Sequence, residues 1–382
     1  MPRRNPRRTD KEWECRSSSL SDKCWCQKHY IHTSNFYYKI RGVRRMYDKV
    51  FLVTDKKKIL EVYSMQLISE IDIEFTDNYI CDKDDVMQNP SEFKEIKYIF
   101  STWDMPQFTE EEIGVVFPKL EAVFYAAGTV KYFAEPFLKK GIKVFSAAKA
   151  NGIPVAEFTV AQIILANKGY FQSMNEYRKE LSFFSYRKAR EIAINKHGNY
   201  GAKIGIIGGG TIGRKVVELL KNYKVDIYVS DPYVSEGEIT KWGAKKVDLK
   251  TIFKECDIIS NHLPDIPDTQ NLINYSLLKL MKNNATFINT GRGRQVVDKD
   301  LVKVMREKPN ACALLDVTRH EPLIPFHCLR RRKNIFLSPH ISGSLQCENQ
   351  RLAEFIINAY KDYLNDTQNQ CEVTLSLFKN KA

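Results

Sequence analysis

Short apolar runs alternate with longer amphipathic stretches along most of the chain. In the first half, segments 109–117 and 130–140 have helical character and lie between runs that predict β-strands. These runs are KVFLVTD from Lys49, IKYIFSTWD from Ile96, LEAVFYAAG from Leu120 and IKVFSAA from Ile142. Strands that alternate with helices predict βαβ units and a parallel sheet.

The second half repeats this alternation after a long helical stretch. That helix is expected to start at Ile153, because Asn151-Gly152 precedes it and Pro154 suits a first turn. Six strand-like runs follow: AKIGII from Ala202, VDIYVS from Val225, ECDIISN from Glu255, ATFINT from Ala285, ACALLDV from Ala311 and NIFLSPH from Asn334. The pattern predicts an α/β protein with two doubly wound parallel-sheet lobes.

Residues 1–45 show neither the helical nor the strand periodicity of apolar residues and are rich in Arg, Ser and Pro. We therefore predict a disordered basic leader. They carry twelve Lys and Arg against four Asp and Glu, which is +8 of the net charge of +13. Nucleic-acid binding, which we do not expect, would therefore belong to this leader alone. Met46 begins the first patterned segment and is an alternative native start, with the leader then an upstream extension.

Two further interpretations of the leader have weak support. Its cysteines and histidines do not have the spacing of a zinc site, and its four acids argue against a mitochondrial presequence. The possible zinc ligands are Cys15, Cys24, Cys26, His29 and His32. No metal site is expected elsewhere either.

The chain has nine cysteines, an odd number, and most are scattered in a way that does not resemble a disulfide framework. No apolar stretch is long enough to span a membrane. We therefore expect reduced thiols, a cytoplasmic protein and no membrane partner.

A glycine-rich loop, Gly208 to Gly213, fits the pattern G-x-G-x-x-G between a predicted strand and a predicted helix. The first glycine permits a tight turn, Gly210 lets a pyrophosphate approach the backbone, and Gly213 lets the helix pack on the strand. Thr211 and Ile212 lie in the same loop, where the helix N-terminus stabilises phosphate charge. The loop predicts a dinucleotide site.

Asp231 ends the next predicted strand. Dinucleotide-binding folds with such a glycine-rich loop have an acid at this position that binds the adenine ribose. NAD is thus expected rather than NADP, because a carboxylate would repel a 2′-phosphate that Arg214 could otherwise attract. The alternative is that Asp231-Pro232 only starts a turn.

Three further side chains follow strands of the second half: Arg292, Glu321 and His340. Hydride transfer to a 2-oxo acid needs a carboxylate clamp, a proton donor and a group that keeps the donor charged. An arginine fork, an imidazole and a carboxylate meet these needs. Taken singly, each has another interpretation: an arginine on a loop is usually a solvated charge, and a glutamate before proline commonly ends a secondary-structure element.

The ordered motifs of residues 49–376 resemble the D-isomer-specific 2-hydroxyacid dehydrogenase family. They are VAEFTVAQIILA, GGGTIG with Asp231-Pro232, NHLPDIPDTQNLIN, LLKLMKNNATFINTGRG, LLDVTRHEPL and SPHISGS. The resemblance implies that Arg292 binds substrate, that His340 is the general acid/base and that Glu321 is its acidic partner. It also implies further contacts: His262, Pro264, Thr290 and Asp316 with the cofactor, and Ala127 and Gly128 with the substrate carboxylate.

The same resemblance implies a Rossmann NAD-binding domain, residues 151–340, inserted in a flavodoxin-like substrate-binding domain made of residues 46–150 and 341–382. It also implies a homodimer formed through the nucleotide-binding lobes. Two segments depart from the family pattern: TGRGR, where Arg294 either adds charge near the substrate or is simply exposed, and LRRRKN before the last strand.

A NAD-sensing, corepressor-like interaction protein of the same fold is the alternative function, because fold does not determine function. A formate dehydrogenase is disfavoured, since Glu321 stands where that relative has glutamine. The identity of the 2-oxo acid depends on loops 101–105 and 127–130 and is not predicted.

Overall fold

The structure is a computed structural model that describes residues 48–73, 80–179, 182–375 and 378. The leader lies outside these residues, and so do the predictions about its disorder, its metal ligands and Met46. The residues from Met46 onward cluster as one compact unit. Within the described part of this unit the strands form two parallel sheets.

The first sheet has five strands, and their order is β2-β1-β3-β4-β5. The strands are β1 (Lys49–Leu52), β2 (Ile80–Cys81), β3 (Tyr98–Ser101), β4 (Ala122–Tyr125) and β5 (Lys143–Ser146). All neighbours pair in parallel. This is the flavodoxin-like order predicted for the substrate lobe.

The second sheet has seven parallel strands in the order β12-β11-β10-β9-β6-β7-β8. They are β6 (Lys203–Ile207), β7 (Asp226–Ser230), β8 (Lys245–Lys246), β9 (Ile258–Asn261), β10 (Thr286–Asn289), β11 (Cys312–Leu315) and β12 (Ile335–Leu337). The order reverses between β6 and β9, which is where doubly wound sheets bind ligands. The two-lobe α/β prediction is confirmed.

Helices cover both sheets. They are α1 (Lys57–Val62), α2 (Met65–Ser69), α3 (Lys83–Gln88), α4 (Glu110–Val116), α5 (Ala134–Lys139), α6 (Ala148–Asn167), α7 (Tyr170–Tyr177), α8 (Ser182–Ile194), α9 (Thr211–Leu220), α10 (Glu236–Lys241), α11 (Leu249–Glu255), α12 (Tyr275–Leu278), α13 (Asp298–Glu307) and α14 (Glu348–Leu364). Short 3₁₀ helices span Pro90–Glu92, Pro267–Thr269, Gly293–Gln295 and Cys328–Arg331.

Aromatic rings fill the core between the first sheet and α14. Phe124 stacks on Phe145 with ring centroids 4.9 Å apart, and Tyr360 meets the edges of Phe100 and Phe124 at 5.2 Å. These rings are almost fully buried, so they contribute heavily to core stability. The chain thus returns from the second sheet to pack its last long helix on the first.

Two strands and one helix boundary differ from the sequence prediction. The strands β2 and β8 have two residues each, and an apolar-run criterion cannot detect them. The expected helix start at Ile153 is wrong, because α6 begins at Ala148, where the Ser146 hydroxyl accepts the Ala148 amide at 3.2 Å. Pro154 therefore lies inside α6.

Candidate active site

The glycine-rich loop forms a tight cradle after β6. Gly208 has φ +91°, and a Cβ there would lie 2.7 Å from the His262 carbonyl oxygen. A Cβ on Gly213 would lie 2.0 Å from the Gly208 carbonyl oxygen, so α9 can approach the strand only with glycine at this position. At Gly210, which precedes the first turn of α9, a Cβ would have no described atom within 4 Å. The helix N-terminus is therefore open to an approaching phosphate.

Asp231 follows β7 and is hydrogen-bonded to the cradle. Its Oδ2 accepts the Gly209 amide at 2.7 Å, and its Oδ1 accepts the amides of Tyr233 and Val234 at 2.7 and 3.1 Å. The carboxylate thus stabilises the turn and also stands beside the cradle, so both sequence interpretations fit this position. The Arg214 guanidinium lies 5.4 Å from the Trp242 ring centroid.

His262 lies at the switch point, directly after β9. Its side chain is buried, its Nε2 lies 2.9 Å from the Ser260 hydroxyl, and its Nδ1 has no hydrogen-bond partner among the described residues. Burial lowers the pKa of His262 to about 3. The ring is therefore neutral at physiological pH and unsuited to proton donation there.

A buried amide network, which the sequence analysis missed, fixes the loop that carries Arg292. Asn261 Nδ2 donates to Asn289 Oδ1 at 3.0 Å and to Gln295 Oε1 at 2.6 Å. Gln295 in turn donates to the carbonyl oxygens of Leu263 and Pro264, at 2.8 and 2.9 Å. The network therefore joins the loops that follow β9 and β10. Its sequence signal is an amide residue at the end of each strand.

Arg292 lies in this fixed loop and is half-buried. Its backbone amide donates to Gln295 Oε1 at 3.2 Å, and its Nη1 donates to the Gly291 carbonyl at 2.9 Å. Thr290 is buried with its hydroxyl 3.1 Å from that of Thr159. Among the described residues the Arg292 guanidinium donates only to the Gly291 carbonyl and has no carboxylate partner, so donors remain for an anion.

His340 and Glu321, 19 positions apart in sequence, are in direct contact. His340 Nδ1 lies 2.7 Å from Glu321 Oε2, and Glu321 Oε1 accepts the Thr318 amide at 2.9 Å. His340 has φ +56°, a conformation rare for a side-chain-bearing residue. The side chains of His340 and Glu321 are 51% and 39% exposed, so a substrate can reach the imidazole.

Asp316 holds the loop that carries His340. The Asp316 residue is only 1% exposed, and its carboxylate accepts the Ser338 hydroxyl at 2.6 Å and the amides of Ile341 and Ser342 at 3.0 and 2.8 Å. Burial alone would raise the pKa of Asp316, but these hydrogen bonds outweigh it and the net shift is downward. The carboxylate is thus an ionised anchor for the backbone that follows His340.

Contacts between the two lobes bring loop 127–128 towards the same region. Asn151 Oδ1 accepts the Ser344 amide at 2.9 Å, while a Cβ on Gly128 would lie 3.6 Å from Asn151 Nδ2. The carbonyl oxygens of Ala127 and Gly128 lie 3.1 and 2.6 Å from the Ser146 hydroxyl. Nearby, Lys131 Nζ donates to the Asp265 carbonyl of the second lobe at 2.6 Å.

Other chemistry is sparse among the described residues. Cys256, Cys312, Cys328, Cys347 and Cys371 are free thiols, and no three described His, Cys, Asp or Glu side chains cluster as a metal ion requires. No described helix combines the length and the apolar character that a bilayer-spanning helix needs.

Residues 160–342 match the model of the "D-isomer specific 2-hydroxyacid dehydrogenase, NAD binding domain". A glyoxylate reductase of Thermococcus litoralis is 31% identical over 252 residues, which are 63% of this chain and 72% of that protein. The chain belongs to the D-isomer specific 2-hydroxyacid dehydrogenase family. The matched NAD-binding domain contains the cradle and Asp231, and NAD is the cofactor of this chain.

Other relatives are matched over less of their length. The chain is 41% identical to a glyoxylate reductase of Aeropyrum pernix over 40% of the chain and 46% of that protein. It is 29% identical to a D-3-phosphoglycerate dehydrogenase of Synechocystis, over 59% of the chain and 39% of that protein. The chain thus spans about half or less of the length of these two family members.

Solved structures share the fold at low identity. D-mandelate dehydrogenase of Rhodotorula graminis superposes with a TM-score of 0.71 at 16% identity, over 85% of this chain and 97% of that one. The NAD complex of a D-isomer specific 2-hydroxyacid dehydrogenase from Lactobacillus delbrueckii superposes with a TM-score of 0.68 at 18% identity, over 85% of this chain and 100% of that one. These similarities establish the two-lobe dehydrogenase fold.

Proposed function

We propose that the protein is an NAD-dependent dehydrogenase that transfers a hydride between nicotinamide and a small D-2-hydroxy acid or its 2-oxo acid. The observation that carries the proposal is the contact of His340 with Glu321 beside the edge of the sheet where Arg292 and the glycine cradle lie. These groups come from separate loops, and their convergence suits proton transfer next to a bound carboxylate.

The cradle and the neighbouring loops are proposed to hold the dinucleotide. Gly208 and Gly210 to Gly213 would bind its pyrophosphate and Asp231 its adenine ribose. Side chains or backbone near the switch point would face its nicotinamide end: His262, Pro264, Thr290 and Asp316. Bound NAD supplies the hydride in reduction and accepts it in oxidation.

Arg292 is proposed to bind the substrate carboxylate and to polarise the adjacent carbonyl. Its planar fork suits a carboxylate, and the amide network limits the loop motion that would misplace it. The backbone amides of Ala127 and Gly128 would receive the carboxylate from the other lobe.

His340 is proposed as the general acid in reduction and the general base in oxidation. Since Nδ1 faces the Glu321 carboxylate, that nitrogen carries a proton and Nε2 is the nitrogen left for the substrate oxygen. The contact with Glu321 orients the ring. Reduction should therefore require protonated Nε2, and oxidation should require it unprotonated.

We also propose a cytosolic homodimer that forms through the nucleotide-binding lobes. Tyr170, Met174 and Tyr177 recur at helical spacing on α7 and are 45%, 40% and 56% exposed, which is unusual for an isolated surface. Light scattering during size exclusion should give a dimer, and Tyr177→Glu should shift it toward monomer. The free thiols of Cys256, Cys312, Cys328, Cys347 and Cys371 suit a reducing compartment.

The test of catalysis is initial-rate NADH oxidation with a panel of 2-oxo acids. His340→Ala should reduce turnover by about 10²- to 10⁴-fold while NADH affinity, followed by fluorescence, stays near normal. The exposed His197 gives a matched control, because His197→Ala should leave both unchanged. NADH binding without turnover on any substrate would instead support the NAD-sensing function.

A further inference from the structure

A cavity lies away from the proposed catalytic groups, and residues of the LRRRKN segment form part of its wall. Its volume is about 610 Å³, within the usual size range of small-molecule sites. The wall includes Asn284, Asn310 and Asn334, which precede β10, β11 and β12. Since the strands are parallel, these residues lie at the amino-terminal edge of the sheet, opposite the edge that carries Arg292 and His340.

Positive charge predominates in this cavity. Six cationic side chains line it, with two acidic ones, Glu176 and Glu191. The cations are Lys179, Lys188, Lys196, Arg331, Arg332 and Lys333. Both acids are already engaged, Glu176 by Lys179 and Glu191 by Arg187 at 3.4 Å.

Five of the six cations have no carboxylate within 4.0 Å in the described part of the chain: Lys188, Lys196, Arg331, Arg332 and Lys333. Arg332 Nη2 donates to the Met305 carbonyl at 3.2 Å, but its Nε is buried without a hydrogen-bond partner among the described residues. An unpaired buried donor on a charged group is costly and indicates a missing acceptor.

The wall of the cavity is a built framework rather than a loose surface. Asn334 is 6% exposed, and its Nδ2 donates to the carbonyl oxygens of Met305 and Ala311, each at 2.9 Å, which fixes the turn that presents Arg331 to Lys333. On the opposite wall, Gln172 Nε2 donates to the Asn310 carbonyl at 3.1 Å. Lys196 Nζ similarly donates to the Asn284 carbonyl at 2.7 Å.

We propose that this cavity, defined by Lys188 and Arg331 to Lys333, binds a small organic or inorganic polyanion that carries two or more phosphate groups. Clustered guanidinium and ammonium groups recognise phosphate oxygens by charge-assisted hydrogen bonds. The asparagine side chains of the wall can bind hydroxyl groups of the same ligand. The site is separate from the NAD cradle.

Tripolyphosphate is the probe, titrated by calorimetry into the full-length protein with saturating NADH so that the cradle is occupied. We expect one saturable site per chain at physiological ionic strength. The double variant Arg331→Gln/Lys333→Gln should weaken binding about tenfold or more, the equivalent of losing one charge-assisted hydrogen bond. Lys188→Gln, on the other wall, should weaken binding in the same direction.

A matched control removes the same charge from the other lobe. Lys94→Gln/Lys140→Gln changes two exposed lysines of that lobe, and it should leave tripolyphosphate affinity within about twofold, because distant exposed charges are screened by salt. All variants should keep the wild-type Tm and NADH affinity.

Three outcomes overturn the proposal. They are absence of saturable binding, equal weakening by the test and control variants, and a change of oligomeric state in the Arg331→Gln/Lys333→Gln variant. A change of oligomeric state would mean that the cations contact acidic residues of a second copy of the chain. Because NADH turnover is not the readout, failure here is distinct from failure of the proposed dehydrogenase activity.

Discussion

Replacement of Asp316 by Asn gives a sharp prediction about the loop that carries His340. The variant keeps the shape of the side chain but turns one carboxylate oxygen into an NH₂ group, which cannot accept from the amide of Ser342 or of Ile341. At least one buried amide then loses its acceptor. Such a loss costs about 1–3 kcal/mol of unfolding free energy.

The pH dependence of this loss follows from the lowered pKa of Asp316. A carboxyl whose folded-state pKa is depressed stabilises the fold above its unfolded pKa of about 3.9, and this contribution disappears as pH falls through the folded pKa. Urea unfolding at pH 7 should therefore show the full difference between wild type and Asp316→Asn. Below about pH 4 the difference should shrink.

The matched control is Asp300→Asn, because Asp300 Oδ2 accepts the Tyr275 amide at 2.9 Å far along the chain from His340. Asp316→Asn should lose stability and slow turnover, since it releases the loop that orients the imidazole, whereas Asp300→Asn should keep both near wild type because its remaining oxygen can still accept the Tyr275 amide. Unchanged stability at pH 7, or equal turnover in the two variants, would refute the role of Asp316 as an anchor.

Three further predictions concern the cofactor and the proton. Gly213→Ala should abolish NADH binding measured by fluorescence, because its Cβ would lie 2.0 Å from a carbonyl oxygen, whereas Gly237→Ala, with open space around the Cβ, should have no effect. Asp231→Ala should narrow the preference for NADH over NADPH in initial rates, because it removes a charge that repels a 2′-phosphate; a wild-type preference for NADPH would contradict this. Glu321→Gln should lower turnover while NADH affinity stays near normal, since it replaces the carboxylate that holds the His340 ring; unchanged turnover would contradict the pairing.

The fold was predictable where burial leaves a continuous apolar run. Strands such as Tyr98–Ser101 and Cys312–Leu315 are buried along their whole length, so their sequences show the signal directly. The strand Lys245–Lys246 consists of two lysines at a sheet edge, and only tertiary pairing with Tyr228 and Val229 makes it a strand. Two lysines do not form an apolar run, so the sequence does not predict this strand.

The candidate site was predictable in part for a similar reason. Arg292, Glu321 and His340 could be selected because each chemical type follows a strand, and the contact of His340 with Glu321 agrees with that choice. The support around them was not predictable. Asn261 and Gln295 are 34 positions apart, and their hydrogen bond depends on how two loops fold over the sheet edge.

The proline within α6 has a mechanical consequence. Pro154 has no N–H, so the Ala150 carbonyl lacks its usual helical partner and the first turns of α6 are the weakest. Within the described residues the chain passes between the two sheets here and again near residues 338–347. The two crossings are joined by the hydrogen bond from the Ser344 amide to Asn151, so we expect any rotation of one lobe against the other to use an axis through both of them.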